Sequence, residues 1–383
     1  MGLVSLCMDT SSELIHSLLP IFLASVLGAS MLTVGLIEGV AEATALILRV
    51  FSGALSDYIG KRKLLTVVGY GIAAITKPLF PLAESVGLVF AARFTDRIGK
   101  GIRGAPRDAL IADISPPAIR GASYGLRQSL DTIGAFAGPL LAIAFMALMA
   151  NNIRAVLWIA TIPAFVAVVV LIVGVKEPDS RSVSGEAPFR SPIHLADLLS
   201  VGATYWWLVL LAAVLALARF SEAFLLLRAE NVGLELKFVP IVFVVMNVAY
   251  ALSSYPAGAL SDRVSRTSVI GVGCIALVAA DVVLAVASGA WVVMIGAALW
   301  GLHLGLTQGL LAAVVADNTP SGLRGTAFGV FNLVSGIGVL LASVIAGVLW
   351  DQLGPAATFL AGAGVAIVAL AGLAIAGNRP AVA

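Results

Sequence analysis

Gly53-Ala-Leu-Ser-Asp57-Tyr-Ile-Gly60-Lys61-Arg62-Lys63 decides the fold, because its first five residues return as Gly258-Ala-Leu-Ser-Asp262, 205 positions further on. Other landmarks repeat at almost the same distance. Asp113, Arg120-Gly121 and Gly125 come back as Asp317, Arg324-Gly325 and Gly329 at an offset of 204. Ser12-Glu13 likewise matches Ser221-Glu222. Matching marks at corresponding places in two halves indicate a duplicated unit with a pseudo-two-fold axis.

Composition names the solvent of that unit. The chain has 383 residues, 60% hydrophobic and 11% charged, against about 45–50% and about 25% for soluble domains. So few polar groups cannot cover a water-facing surface. Crossing a bilayer takes about 20 apolar residues per helix. Apolar stretches fall near 3–27, 31–56, 63–83, 86–112, 121–150 and 153–175, then 203–228, 237–261, 267–287, 289–315, 324–349 and 355–376. The expectation is an all-α integral membrane protein with twelve spans in two bundles, 1–175 and 201–383, joined by a polar linker at 176–200.

Lys61, Arg62, Lys63, Arg120, Lys176, Arg181, Arg190, Arg263, Arg266, Arg324 and Arg379 all fall on one side of this arrangement. Positive charge stays on the cytoplasmic face, so both termini are expected there, in a bacterial-type plasma membrane. The first span has neither a basic leader nor a cleavage site and reads as retained. The missing basic anchor before it fits a start inside a longer native chain. Cys7 and Cys274 lie far apart in apolar runs and suggest neither a disulfide nor a metal site. A net charge of +2 gives no reason to expect nucleic acid, and no Walker-type loop is present to support ATP drive. No cofactor is expected, and a monomer is.

The Gly53–Lys63 stretch, placed between spans 2 and 3 and echoed in the second half, resembles the signature of the major facilitator superfamily, Gly-x-Leu-x-Asp-(Arg)-x-Gly-(Arg/Lys)-(Arg/Lys). The resemblance covers the whole chain. Tyr58 stands where the family has Arg, and Ser265 stands where the second copy would have Gly. The resemblance implies secondary transport by alternating access, with a cavity lined mainly by spans 1, 4, 7 and 10. It also implies a gate. Asp57 would meet the start of span 11 near Arg324-Gly325, and Lys61 would meet Asp113 at the end of span 4. Gly53, Gly60, Arg62, Asp262 and Arg266 belong to the same gating set.

Charge inside hydrocarbon is expensive and normally faces the bundle interior or a wet path. Span 1 sets Asp9, Glu13 and His16 on one helical face, and span 2 does so with Glu38, Glu42 and Arg49. Span 4 carries Arg93, Arg97, Lys100 and Arg107 on one stripe, flanked by Asp96 and Arg103, and span 5 adds Arg127 and Asp131. Acids and bases nearly balance in this half, as they would if most were paired. A structural or gating ion pair and a role in substrate or proton handling both remain open for each member.

The second half is leaner, with Arg219, Glu222 and His303. Proton coupling is therefore expected mainly in the first half, with Glu13 the leading site and Arg93 a candidate neighbour. Span 3 and span 9 contribute only Lys77 and Asp281. Gly125, Gly134, Gly138 and Pro139 on span 5 resemble the antiporter motif of proton-driven drug exporters, with Ala142 and Ile143 in place of its last two glycines.

Together these features point to proton-coupled efflux of small organic molecules and not to an enzyme. The basic stripe on span 4 keeps open the alternative, proton-coupled uptake of a small organic anion or metal chelate. Either Arg93 or Arg97 fits as the functional arginine of span 4.

Overall fold

The computed structural model describes residues 1–59, 61–116, 119–176, 202–261, 263–319 and 324–377. Among them the chain is helical, without strands. The linker at 176–200 lies, after Lys176, outside the described residues, as do Gly60 and Asp262; the side chains of Asp57 and Arg324 are likewise outside the description.

In chain order the helices are α1 (Gly2–Ile21), α2 (Met31–Ile59), α3 (Arg62–Thr76), α4 (Leu79–Leu82), α5 (Val86–Ile114), α6 (Arg120–Leu148), α7 (Ile153–Ile159) and α8 (Thr161–Gly174). Then come α9 (Ala203–Ala218), α10 (Ala223–Asn231), α11 (Ile241–Ser261), α12 (Arg266–Ala285), α13 (Ala290–Asp317), α14 (Arg324–Leu353) and α15 (Pro355–Gly377). The pairs α7/α8 and α9/α10 each make one interrupted span, and α4 extends α3, so the helices compose twelve spans.

Ten of these are long and apolar enough to cross a membrane by that measure alone. The two that are not, α1 and α5, carry Asp9, Glu13 and His16 and the basic stripe. Large apolar side chains such as Ile162, Val173, Trp291 and Ile367 lie on the outside. A surface of that kind is covered by lipid tails.

The helices group into two compact units, Met1–Gly28 with Val40–Pro192, and Ala29–Gly39 with Ile193–Ala383. In the first, Val4, Met8, Tyr70, Ala73, Leu110, Ala164 and Leu171 form a core among α1, α3, α5 and α8. In the second, Leu211, Leu215, Cys274, Leu310 and Leu373 do the same among α9, α12, α13 and α15.

Interruptions follow from local chemistry. Pro20 has no N–H to give, and the chain behind it passes through one π-helical turn, Phe22–Val26. Pro139, by contrast, sits within a continuous α6. The seventh span breaks at Arg219–Glu222. Two serines accept from two of the backbone donors there. Ser343 Oγ accepts from the Ser221 N–H at 3.0 Å, and Ser221 Oγ accepts from the Ala223 N–H at 3.2 Å. Without them the break would leave unpaired N–H groups in an apolar setting.

The first turn of α2 is held within the second unit. The Asp351 carboxylate, near the end of α14, accepts from the N–H groups of Met31 (3.0 Å) and Leu32 (2.8 Å). Its charge also complements the helix dipole. Gly347 lets the two backbones meet there, since a Cβ on it would fall 2.6 Å from Leu32 Cα.

Asp351→Ala should cost about 1 kcal/mol of stability, the usual scale for a lost helix cap, read as a lower melting temperature in detergent. Gly347→Leu should lower it further, because the backbone contact leaves the side chain no space.

Candidate functional site

α5 carries most of the polar chemistry of the first unit, and its neighbours meet it step by step. The first rung lies deepest. Lys77 Nζ, just past the end of α3, donates to Asp96 Oδ1 at 2.8 Å and to Ser12 Oγ of α1 at 3.0 Å, and both charged residues are buried. Breaking a buried pair of this kind by removing one partner costs about 3–5 kcal/mol. One residue on, Arg97 reaches Glu42 of α2 at 3.0 Å. Arg93 is buried a turn earlier, within electrostatic reach of Asp96 and Glu42.

Further along, the Arg103 guanidinium lies over the Tyr70 ring at 4.5 Å. Arg107 donates to Ser5 at 3.4 Å and to Asp108 at 3.2 Å. Asp108 gathers three arginines from three helices: Arg107, Arg49 of α2 at 3.5 Å and Arg127 of α6 at 3.9 Å. Arg127 also pairs with Asp131 one turn away. Arg62 then closes the series on Asp113 at 2.5 Å. From Asp96 to Asp113 this is about 25 Å of helix at about 1.5 Å per residue.

Helix α1 faces α6 through its acids. Glu13 Oε2 and His16 Nδ1 are 3.6 Å apart. Gly138 of α6 lies directly against Glu13, where a Cβ would come within 2.7 Å of Glu13 Cβ and of the Leu14 nitrogen. Gly134 stands in the same relation to Asp9, at 3.0 Å. Two glycines of the antiporter-like set are therefore the ones that admit the acidic face of span 1. A Cβ on Gly125 would meet open space.

Lys100 lies between these features. It is exposed and makes no hydrogen bond or ion pair among the described residues, although Glu42, Glu13 and Asp9 are in its electrostatic surroundings.

Several expectations are revised. The bases within electrostatic reach of Glu13 include His16 on its own helix and Lys100 and Arg97 on α5. Of the two candidate arginines of span 4, Arg97 pairs with Glu42 of α2, and both it and Arg93 are buried. The base on Asp113 is Arg62 and not Lys61, since Lys61 is the cap residue outside the helix while Arg62 begins α3. The second unit repeats the pair as Arg266 with Asp317. Asp108, Ser5 and Tyr70 had not been singled out from sequence.

In the second unit the charges are dispersed. His303 Nδ1 donates to the Gly273 carbonyl at 2.8 Å, while its Nε2 is buried without a partner among the described residues. Arg219 sits at the break near Glu222, Cys274 and His303 and makes no ion pair among the described residues. Phe220, Trp300, Phe224, Phe359 and Trp350 ring the break in edge and tilted contacts. Glu38 of α2 is fully buried. No group of three or more His, Cys, Asp or Glu able to hold a metal occurs among the described residues.

Comparison with known proteins agrees with this architecture. The family model described as Major Facilitator Superfamily matches residues 1–246 and 209–382. An uncharacterised MFS-type transporter of Methanocaldococcus jannaschii is 34% identical over 376 residues, covering 96% of this chain and 92% of that protein. The quinolone resistance protein NorA of Staphylococcus aureus is 23% identical over 339 residues, covering 88% and 86%. Among solved structures, the nucleoside transporter NupG superposes with a TM-score of 0.79 at 13% identity over 99% of this chain and 98% of that one. A bacterial homologue of the human lysosomal transporter Spinster gives 0.77 at 18% over 98% and 95%. With the twelve-span duplicated fold, the charged fourth span and these matches together, the chain belongs to the major facilitator superfamily of membrane transporters.

Proposed function

We propose that the chain is a secondary active transporter that exports small organic molecules in exchange for protons by alternating access. Its two six-span halves, 1–175 and 201–383, joined by a cytoplasmic linker at 176–200, would act as a monomer with both termini in the cytoplasm. One observation carries this reading. The glycines of the antiporter-like helix, Gly134 and Gly138, press against the two carboxyl-bearing residues Asp9 and Glu13 of span 1. Movement of α6 along α1 thus changes the surroundings of two carboxyls directly, and a change in surroundings is what makes a carboxyl take up or release a proton. The likeness to a quinolone resistance protein supports export as the direction.

At the cytoplasmic end, Arg62 with Asp113 and Arg266 with Asp317 form one charge pair in each half. With Gly53, Asp57, Lys61 and Arg324, the gating residues that the signature implies, they would serve as parts of a gate that closes that side.

A second reading rests on Lys100, an exposed residue that makes no ion pair among the described residues. A cation of this kind suits an anionic substrate, and uptake of a small organic anion or metal chelate with protons would use it.

Glu13→Gln should keep ligand binding while abolishing the part of transport driven by a pH gradient; unchanged proton-driven ethidium flux in proteoliposomes would refute its role. Thermal-shift measurements with ethidium, a quinolone and simple di- and tricarboxylates separate the two readings. Stabilisation by the first two supports export. If the carboxylates stabilise instead, Lys100→Gln should weaken their binding by about tenfold or more, the scale of one charge-assisted hydrogen bond.

A further inference from the structure

Asp281, on α12, is fully buried, and neither of its carboxyl oxygens has a hydrogen-bond partner among the described residues. It makes no ion pair there either. The group is wedged tightly. A Cβ on Gly362 of α15 would fall 2.7 Å from Asp281 Oδ2 and 2.9 Å from the ring of Phe220, which belongs to the break in the seventh span. Asp281 is therefore in the packing layer that also contains that break.

The internal repeat sharpens the anomaly. Arg62 and Arg266, Asp113 and Asp317, and Lys77 and Asp281 are all related by the same offset of 204. In the first unit this position is Lys77, held by Asp96 and Ser12. The residue corresponding to Asp96 is Trp300, 1% exposed. The second unit thus keeps a titratable group at this place and puts an indole where its counter-charge would be.

The surroundings supply no substitute. On α12 itself the charged or titratable groups are Arg266, at its far end on Asp317, and Cys274. From α13 come His303, bonded to Gly273, and Asp317. The break contributes Arg219 and Glu222, near each other and near Cys274. Arg228 of α10 is spent on the carbonyls of Leu284, Ala285 and Ala287. From α11 come Tyr250 and Tyr255, the first bonded to Gln308. The described part of α15 has no charged residue. An ionised carboxylate with no counter-charge and no donor is among the costliest groups a protein interior can hold.

We propose that Asp281 is a second proton-binding site of the transporter: it holds its proton as a carboxylic acid while the layer around Phe220 is closed, and releases it when the break at Arg219–Glu222 moves. On release the O–H bond breaks, the electron pair stays on the carboxylate oxygen, and the proton passes to an entering water. Reprotonation from water reverses the step. The inference rests on the proton-coupled reading above. It also places part of the coupling in the half with fewer charges.

Dicyclohexylcarbodiimide adds to protonated carboxyls in apolar surroundings and leaves carboxylates alone. Mass spectrometry of the full-length protein treated in detergent should find the adduct on Asp281, absent from Asp281→Asn and falling about tenfold per pH unit once the carboxyl ionises. The infrared difference spectrum between neutral and alkaline pH should contain the carbonyl stretch of a protonated acid in wild type and lack that component in Asp281→Asn. Superimposable spectra would overturn the proposal, as would an adduct on other carboxyls with none on Asp281. Asp281→Asn should fold normally, since an amide replaces a neutral acid of the same shape.

In proteoliposomes the variant should lose at least half of the ethidium flux driven by a pH gradient. Retention of the full gradient-driven flux overturns the role of Asp281 and leaves the transporter reading standing. A wild type without any gradient-driven flux defeats that reading, while the adduct and the spectrum still report whether Asp281 holds a proton.

Discussion

Charge brought into hydrocarbon has to be answered by the chain itself, because no water is present to do it. Much of the first unit is organised by that constraint. Lys77 would be untenable alone and so fixes where Asp96 and Ser12 must stand, tying α3, α5 and α1 at one point. Arg97 fixes Glu42, and Asp108 fixes Arg49, Arg107 and Arg127. Such pairs add little net stability compared with apolar packing of the same shape. Their effect is to set which helix faces which, and at what height.

The two units solve the same topological problem with different chemistry. Where the first has paired charge along α5, the second has serine hydroxyls, aromatic rings and small residues. The Ser221 and Ser343 hydroxyl oxygens accept from backbone N–H groups at the break. His303 bonds a carbonyl at the place where the first unit has Gly99 against Gly69. The duplication keeps the order of helices, while buried polar positions such as Lys77/Asp281 and Asp96/Trp300 differ between the halves.

The twelve spans and the repeat were legible in the sequence because hydropathy and a fixed offset are properties of the chain alone. So was the placement of the charges on spans 1, 2, 4 and 5. What the sequence hides is partnership between helices. Lys77 and Asp96 stand on different helices, and nothing in either segment says they meet. Asp108 falls one residue off the basic stripe, so arithmetic on a single helix passes over it, yet it lies where α2 and α6 flank α5. The resemblance places Arg62 in the gating set but gives the contact with Asp113 to Lys61, because a helix start cannot be fixed to one residue from composition. The split of span 7 was hidden too. Arg219 to Glu222 reads as a polar patch in a continuous helix until its backbone partners are seen.

Arg228 has a mechanical consequence. Its guanidinium donates to the carbonyls of Leu284, Ala285 and Ala287, and so welds α10 to the end of α12 as one block. A span welded at one extremity cannot tilt as a single rod. Any swing of α9 has to pivot where the helical hydrogen bonds are already interrupted, so the four residues from Arg219 to Glu222 act as a fulcrum, and α9 becomes a lever of about 24 Å, at about 1.5 Å per residue over its sixteen residues. A rotation of a few degrees at that point moves the far end of the lever by more than an ångström, while the welded block stays still.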